Sequence, residues 1–115
     1  MLKQRIEILR SGGVISGQTA DFVNRVIDLI QRDYPDVAAD HAAMFTTHLA
    51  MAMERIEKGE LVDKMDPFCW EQIRKTPEFP RAQELCARMM ALCPVELPAV
   101  ERDYIVLHIC SMLET

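Results

Sequence analysis

Residues 45–60 read FTTHLAMAMERIEKGE, and the helical reading of the whole chain rests on this stretch. Continued back to residue 38, small or apolar residues recur at Ala38, Ala42, Phe45, Leu49, Ala52, Met53 and Ile56. A spacing of three or four lines one face of a helix, unlike the alternation of a half-buried strand. His41, His48 and Arg55 stand seven apart and form a second stripe, which drifts by about 20° per step. His48 falls roughly 100° round from the centre of the apolar face. It is expected at a boundary, half packed and half reachable. Lys58 and Gly59 then close the helix. A cation suits the negative end of the helix dipole, and a glycine suits a left-handed cap.

Upstream, Tyr34-Pro35 is a break, because the residue before a proline is pushed out of the helical region. Asp36 then opens the long helix, which fills residues 37–58. The preceding helix begins near Thr19, a candidate N-cap. Its buried stripe is Phe22, Val23, Val26, Ile27 and Ile30, with Asp21, Asn24, Arg25, Asp28 and Arg32 facing away. Residues 1–10 carry a weaker stripe, Leu2, Ile6 and Leu9, ended by Ser11-Gly12-Gly13. Residues 1–17 are therefore either a short helix or a mobile arm, and residues 18–115 form a single helical domain.

Downstream, residues 61–66 connect to Pro67, which fits the first turn of a short helix through Phe68, Trp70, Ile73 and Arg74. Residues 76–80, TPEFP, read as the next break. A helix over 81–92 turns Leu85, Met89 and Leu92 inward and stops at Cys93-Pro94. Residues 95–98, VELP, lead into the last helix, with Pro98 in its first turn and Glu101 near its positive end. Residues 104–113, YIVLHICSML, are apolar nearly all round, as in a helix central to a bundle, and His108 is the one basic residue among them. No strand-like alternation and no internal repeat is present. The expected fold is all-α, an antiparallel bundle of about five helices with short loops.

Composition narrows the function. A chain of 115 residues can bury a real core, and half of it is apolar, eight residues being methionine. The formal net charge of −5 and the lack of a basic patch argue against direct binding to nucleic acid. The N-terminus mixes charge into every turn, so it is expected to be neither signal peptide nor membrane span. Cys69, Cys86, Cys93 and Cys110 show no C-x-x-C pairing and read as reduced thiols of a cytosolic helical core.

The templates for catalysis are missing: no G-x-S-x-G, P-loop, dinucleotide-binding glycine pattern or H-E-x-x-H. No catalytic residue and no cofactor is expected. His41 and His48 lie two turns apart, roughly 10 Å along the axis, which is too far to share a metal directly, so no metal site is expected either. Two histidines remain. In one reading His48 and His108 are core residues, each donating to a carbonyl. In the other, the imidazole acts as a nucleophile near neutral pH and accepts phosphate. That adds a charge of about −1.5 to −2, by analogy with other phosphorylated residues. Arg55, two turns after His48, is then available to pair with it.

The segment FTTHLAMAMERIEKGE resembles the first-histidine segment of the phosphotransferase-system regulation domain (PRD) family. VELPAVERDYIVLHI resembles the second, with an acidic residue before an aromatic and a final "LHI". The intervening order, a tryptophan-bearing short helix and then another helix before V-E-L-P, is similar too. The likeness spans residues 19–112. It implies a helical bundle, usually dimeric, in which histidines take phosphate from the phosphocarrier protein or a sugar-specific phosphotransferase component. It assigns phosphorylation to His48 and His108 and supporting roles to Arg55, Glu101 and Thr47. Thr47 stands where the family often has an aspartate that orients the first histidine. His41 matches no family site. The implied protein is a stand-alone cytoplasmic domain that relays sugar-uptake state to transcription regulation through protein contacts. The alternative is a non-phosphorylated dimeric interaction module with structural histidines.

Overall fold

The computed structural model describes residues 2–60 and 62–114. Met1, Leu61 and Thr115 lie outside the described residues, and with them the first residues of the lead segment and of the 61–66 connection. Six helices form among the described residues: α1 (Leu2–Ser11), α2 (Gly17–Asp33), α3 (Ala39–Glu57), α4 (Pro67–Arg74), α5 (Phe79–Leu92) and α6 (Ala99–Leu113). The bundle is all-α, as the periodicity requires, and α1 is the helix beyond the expected five.

The lead segment is helical because Leu2 and Ile6 are buried against α2 and α3. Tertiary packing stabilises a stripe too short to hold a helix alone. It ends in a Schellman turn: Gly13 has φ +74°, its N–H donates to Arg10 O at 3.1 Å, and Val14 N–H donates to Leu9 O at 2.9 Å.

Four boundaries differ from the sequence reading. The N-cap of α2 is Ser16, not Thr19. The Ser16 hydroxyl accepts from Thr19 N–H at 3.1 Å, while the buried Thr19 hydroxyl donates to Glu54 of α3 at 2.9 Å. α3 starts at Ala39 rather than after Asp36, because Val37 N–H turns back to Tyr34 O. α5 starts at Phe79, with Pro80 inside its first turn, where a missing N–H costs nothing. Pro98 conversely stands just outside α6 as its N-cap. Asp66 does cap α4 by accepting from Phe68 N–H at 2.8 Å, with Pro67 in the first turn.

The core is built from the expected stripe of α2, with Phe22, Val23, Val26, Ile27 and Ile30 all buried. Against it lie Phe45, Leu49 and Met53 of α3, Leu85 and Met89 of α5, and Ile105, Ile109 and Met112 of α6. α6 packs on α3, α4 and α5 together, which is why it is apolar nearly all round. The four cysteines are free thiols, and burial raises the pKa of Cys86, Cys93 and Cys110, keeping them protonated.

The end of α3 is a second Schellman turn. Gly59 has φ +73°, its N–H donates to Ile56 O at 3.1 Å, and Glu60 N–H donates to Arg55 O at 2.9 Å. Gly59→Ala is therefore expected to destabilise the protein by about 1 kcal/mol, through left-handed strain alone. Nothing stands within 4 Å of the added methyl at Gly59 or at Gly17. Gly17 lies in the first turn of α2, so Gly17→Ala should be neutral or slightly stabilising. Urea denaturation of the two variants checks the contrast.

Candidate functional site

The second stripe of α3 meets α6 residue for residue. His41 Nδ1 lies 3.3 Å from the carbonyl oxygen of Met112. The ring of His48 stacks on that of His108, with centroids 4.5 Å apart and planes 12° from parallel. Arg55 Nη2 lies 3.6 Å from the Glu101 carboxylate. Residue numbers rise along α3 as they fall along α6, so the two helices run antiparallel. A seven-residue step keeps a stripe facing its partner helix, the same reason that heptads make helical seams. The polar residues of α3 thus form a continuous seam.

The lower half of the seam opens into a cavity of about 490 Å³. Phe45, Leu49, Ala52 and Ile105 give it an apolar wall, and His48, His108, Arg55 and Glu101 give it polar groups. Tyr104, Val62 and Asp63 complete the lining, and the Tyr104 hydroxyl donates to the Asp63 carbonyl at 3.1 Å. A cavity of this size, with one apolar wall and several placed polar and charged groups, falls in the range of sites where a small group is held.

Glu101 is the unusual member. Its side chain is 4 % exposed, yet neither carboxylate oxygen accepts a hydrogen bond. Arg55, 39 % exposed, is its counter-ion at a separation beyond hydrogen-bond reach, and Arg55 Nε is likewise without a partner. The carboxylate sits in the first turn of α6, where the helix dipole favours negative charge. The pair is held by charge rather than by geometry. Its donors and acceptors are free to be claimed by something else in the cavity.

The three histidines divide by environment. His41 is bonded to a main-chain carbonyl, as a structural histidine is. No hydrogen bond among the described residues reaches a ring nitrogen of His48 or His108. His48 is exposed and His108 half-buried. Burial, then the nearness of His48, then that of Arg55, hold His108 below the ordinary imidazole value. His108 is therefore neutral at neutral pH, the form with a nucleophilic lone pair.

The depressed pKa carries a stability prediction. The unfolded chain takes up the His108 proton first as pH falls, so the folded state is complete above the ordinary value and loses stability on descent through it. Urea denaturation at about pH 7 and about pH 5.5 should show this loss, and His108→Gln should reduce it. Asp33, held by hydrogen bonds from Arg32 and then Arg88, has its pKa lowered to about 2, so its own contribution is lost only below this window.

The stacked imidazoles present faces to one another rather than converging lone pairs. Among the described residues no group of three His, Cys, Asp or Glu side chains is placed to hold a metal ion. Thr47 is engaged elsewhere. Its hydroxyl donates to Ala43 O at 2.9 Å and accepts from Arg5 of α1 at 3.1 Å, without reaching the His48 ring. Tyr104 and Asp63 were not singled out from sequence. Tyr104 could have been, since it lies three residues after Glu101 and four before His108, on the same helix face. Asp63 could not, because a loop brings it there.

The sequence profile of the PRD domain matches residues 20–111. No curated protein and no solved structure matches the chain. The profile covers α2 through α6 nearly complete, including both stacked histidines and the Arg55–Glu101 pair, and the chain accordingly belongs to the PRD family of regulatory, non-catalytic domains of phosphotransferase-system type.

Proposed function

We propose that this domain is switched by phosphorylation of His48 and His108. The donor is the phosphocarrier protein or a sugar-specific phosphotransferase component, and the result is relayed to transcription regulation by protein contact. The observation that carries the reading is that the ring nitrogens of His48 and His108, in the cavity they share with Arg55, take part in no hydrogen bond among the described residues, in contrast to the tied ring of His41. A phosphate on either ring adds a charge of about −1.5 to −2. Arg55 is the guanidinium at hand to pair with it, in the two-point geometry that suits phosphate oxygens. The domain acts in the cytoplasm, and no described helix is long and apolar enough to cross a membrane. Met44, 63 % exposed one turn before His48, supplies apolar surface for a homodimer contact beside the switch.

Incubation with phosphoenolpyruvate, the general transfer enzyme and the phosphocarrier protein should add acid-labile phosphate, read by intact mass. Labelling should fall at least tenfold in the His48→Ala, His108→Ala double variant. Unchanged labelling in that variant would sink the proposal. Sedimentation before and after labelling reads the coupling to dimer formation.

The stacking itself favours a second reading, an interaction module in which the ring pair is a packing contact between α3 and α6. Ring pairs of this kind contribute about 0.5–1.5 kcal/mol. A loss of that size in each single alanine variant, with no phosphate uptake from any donor, would favour this alternative.

A further inference from the structure

We propose that the domain holds one phosphate at a time: His48 and His108 are alternative acceptors, and phosphate on either ring closes the other. The inference rests on the phosphorylation reading above and specifies its regulation.

Three observations carry it. The rings are stacked at 4.5 Å, closer than the distance of about 8–10 Å over which salt screens charge. Both rings line the same two cavities, the one described above and a second bounded by His41, Met44 and Ser111. Charge in these cavities is lopsided. Arg55 is the guanidinium among the lining residues, whereas Glu101 and Asp63 face the first cavity and Asp40 and Glu114 the second. The first phosphate draws Arg55 and leaves Glu101 without its counter-ion. A second would enter beside that carboxylate and the first phosphate, with no further Arg or Lys among the described residues that line either cavity. Two donors acting on this domain would therefore compete rather than add.

The test uses a chemical donor, so that it does not depend on a protein partner. In phosphoramidate the phosphorus–nitrogen bond breaks as a neutral imidazole nitrogen supplies its lone pair to phosphorus. The amine leaves as ammonia after taking up a proton, and no oxidant or reductant is involved. Carrying His41→Gln in every chain leaves the stacked pair as the only imidazoles. Intact mass then counts phosphates with time on this chain and on versions adding His48→Gln or His108→Gln. Circular dichroism confirms folding of each.

The expected result is one phosphate on the folded chain with both histidines, one on each single-histidine chain, and two on the unfolded chain in urea. A second phosphate on the folded chain should form at least tenfold more slowly than the first. Two phosphates added to the folded chain at similar rates would overturn the inference and leave the phosphorylation reading standing. A single-histidine chain that accepts none would also overturn it, since the rings would not be alternatives. No uptake by any folded chain, against two in urea, would remove the phosphorylation reading and this inference together.

Discussion

Arg55→Ala is expected to lower the unfolding free energy by about 2 kcal/mol, between the values for an exposed and a buried ion pair, because Glu101 is buried and Arg55 is 39 % exposed. The physical cause is the residue left behind. Glu101 is 4 % exposed and accepts no hydrogen bond, so without Arg55 its carboxylate is buried with only the α6 dipole to support it. Glu101→Gln removes the charge that needs compensation and should cost about 1 kcal/mol or less. The double variant Arg55→Ala, Glu101→Gln should then recover most of what Arg55→Ala loses, a coupling that a double-mutant cycle reads directly. Urea denaturation of the four proteins at neutral pH is sufficient. A loss below about 1 kcal/mol for Arg55→Ala would make the pair an ordinary surface contact. The seam would then have no stored demand for an anion or a cation.

Phe45→Ala should cost about 3–5 kcal/mol, while Phe68→Ala should stay within about 0.5 kcal/mol of the parent. Phe45 is 2 % exposed, and Phe68 is 73 % exposed. Both are helical phenylalanines, so the contrast isolates burial from helix propensity. Phe45 has a second role, because it lies one turn before His48 and walls the cavity under the stacked rings. Phe45→Leu preserves most of the volume and should cost less than about 1.5 kcal/mol. Its phosphate uptake compared with that of the parent separates the support Phe45 gives to the site from its share of the core.

The legible part of this protein is the part written in period and punctuation. The three-or-four spacing from Ala42 to Met53 and the buried stripe of α2 are local consequences of the 3.6-residue turn, and both stand where the spacing places them, whereas Ala38 is the exposed N-cap of α3 and Ile56 is half-buried. Gly59 and Pro67 read correctly because a left-handed cap and a first-turn proline are decided by one residue's own backbone. The cap of α2 is Ser16, where the sequence alone points to Thr19. Either hydroxyl can cap locally, and the carboxylate of Glu54, far along the chain, is what engages Thr19.

The seven-residue stripe His41, His48, Arg55 was visible, and so was its place at the edge of the apolar face. Its meaning was not, because a stripe on one helix acquires chemistry only from what another helix sets against it. The antiparallel packing of α3 on α6 makes His41 a structural residue, brings His48 and His108 face to face, and leaves the buried Glu101 carboxylate with Arg55 as its counter-ion. The same packing turns Thr47 away toward α1 and draws Tyr104 and a loop residue, Asp63, into the cavity. Helix content and the apolar faces follow from local periodicity and steric rules. Partnership across the seam depends on register between segments some sixty residues apart, which no local rule specifies.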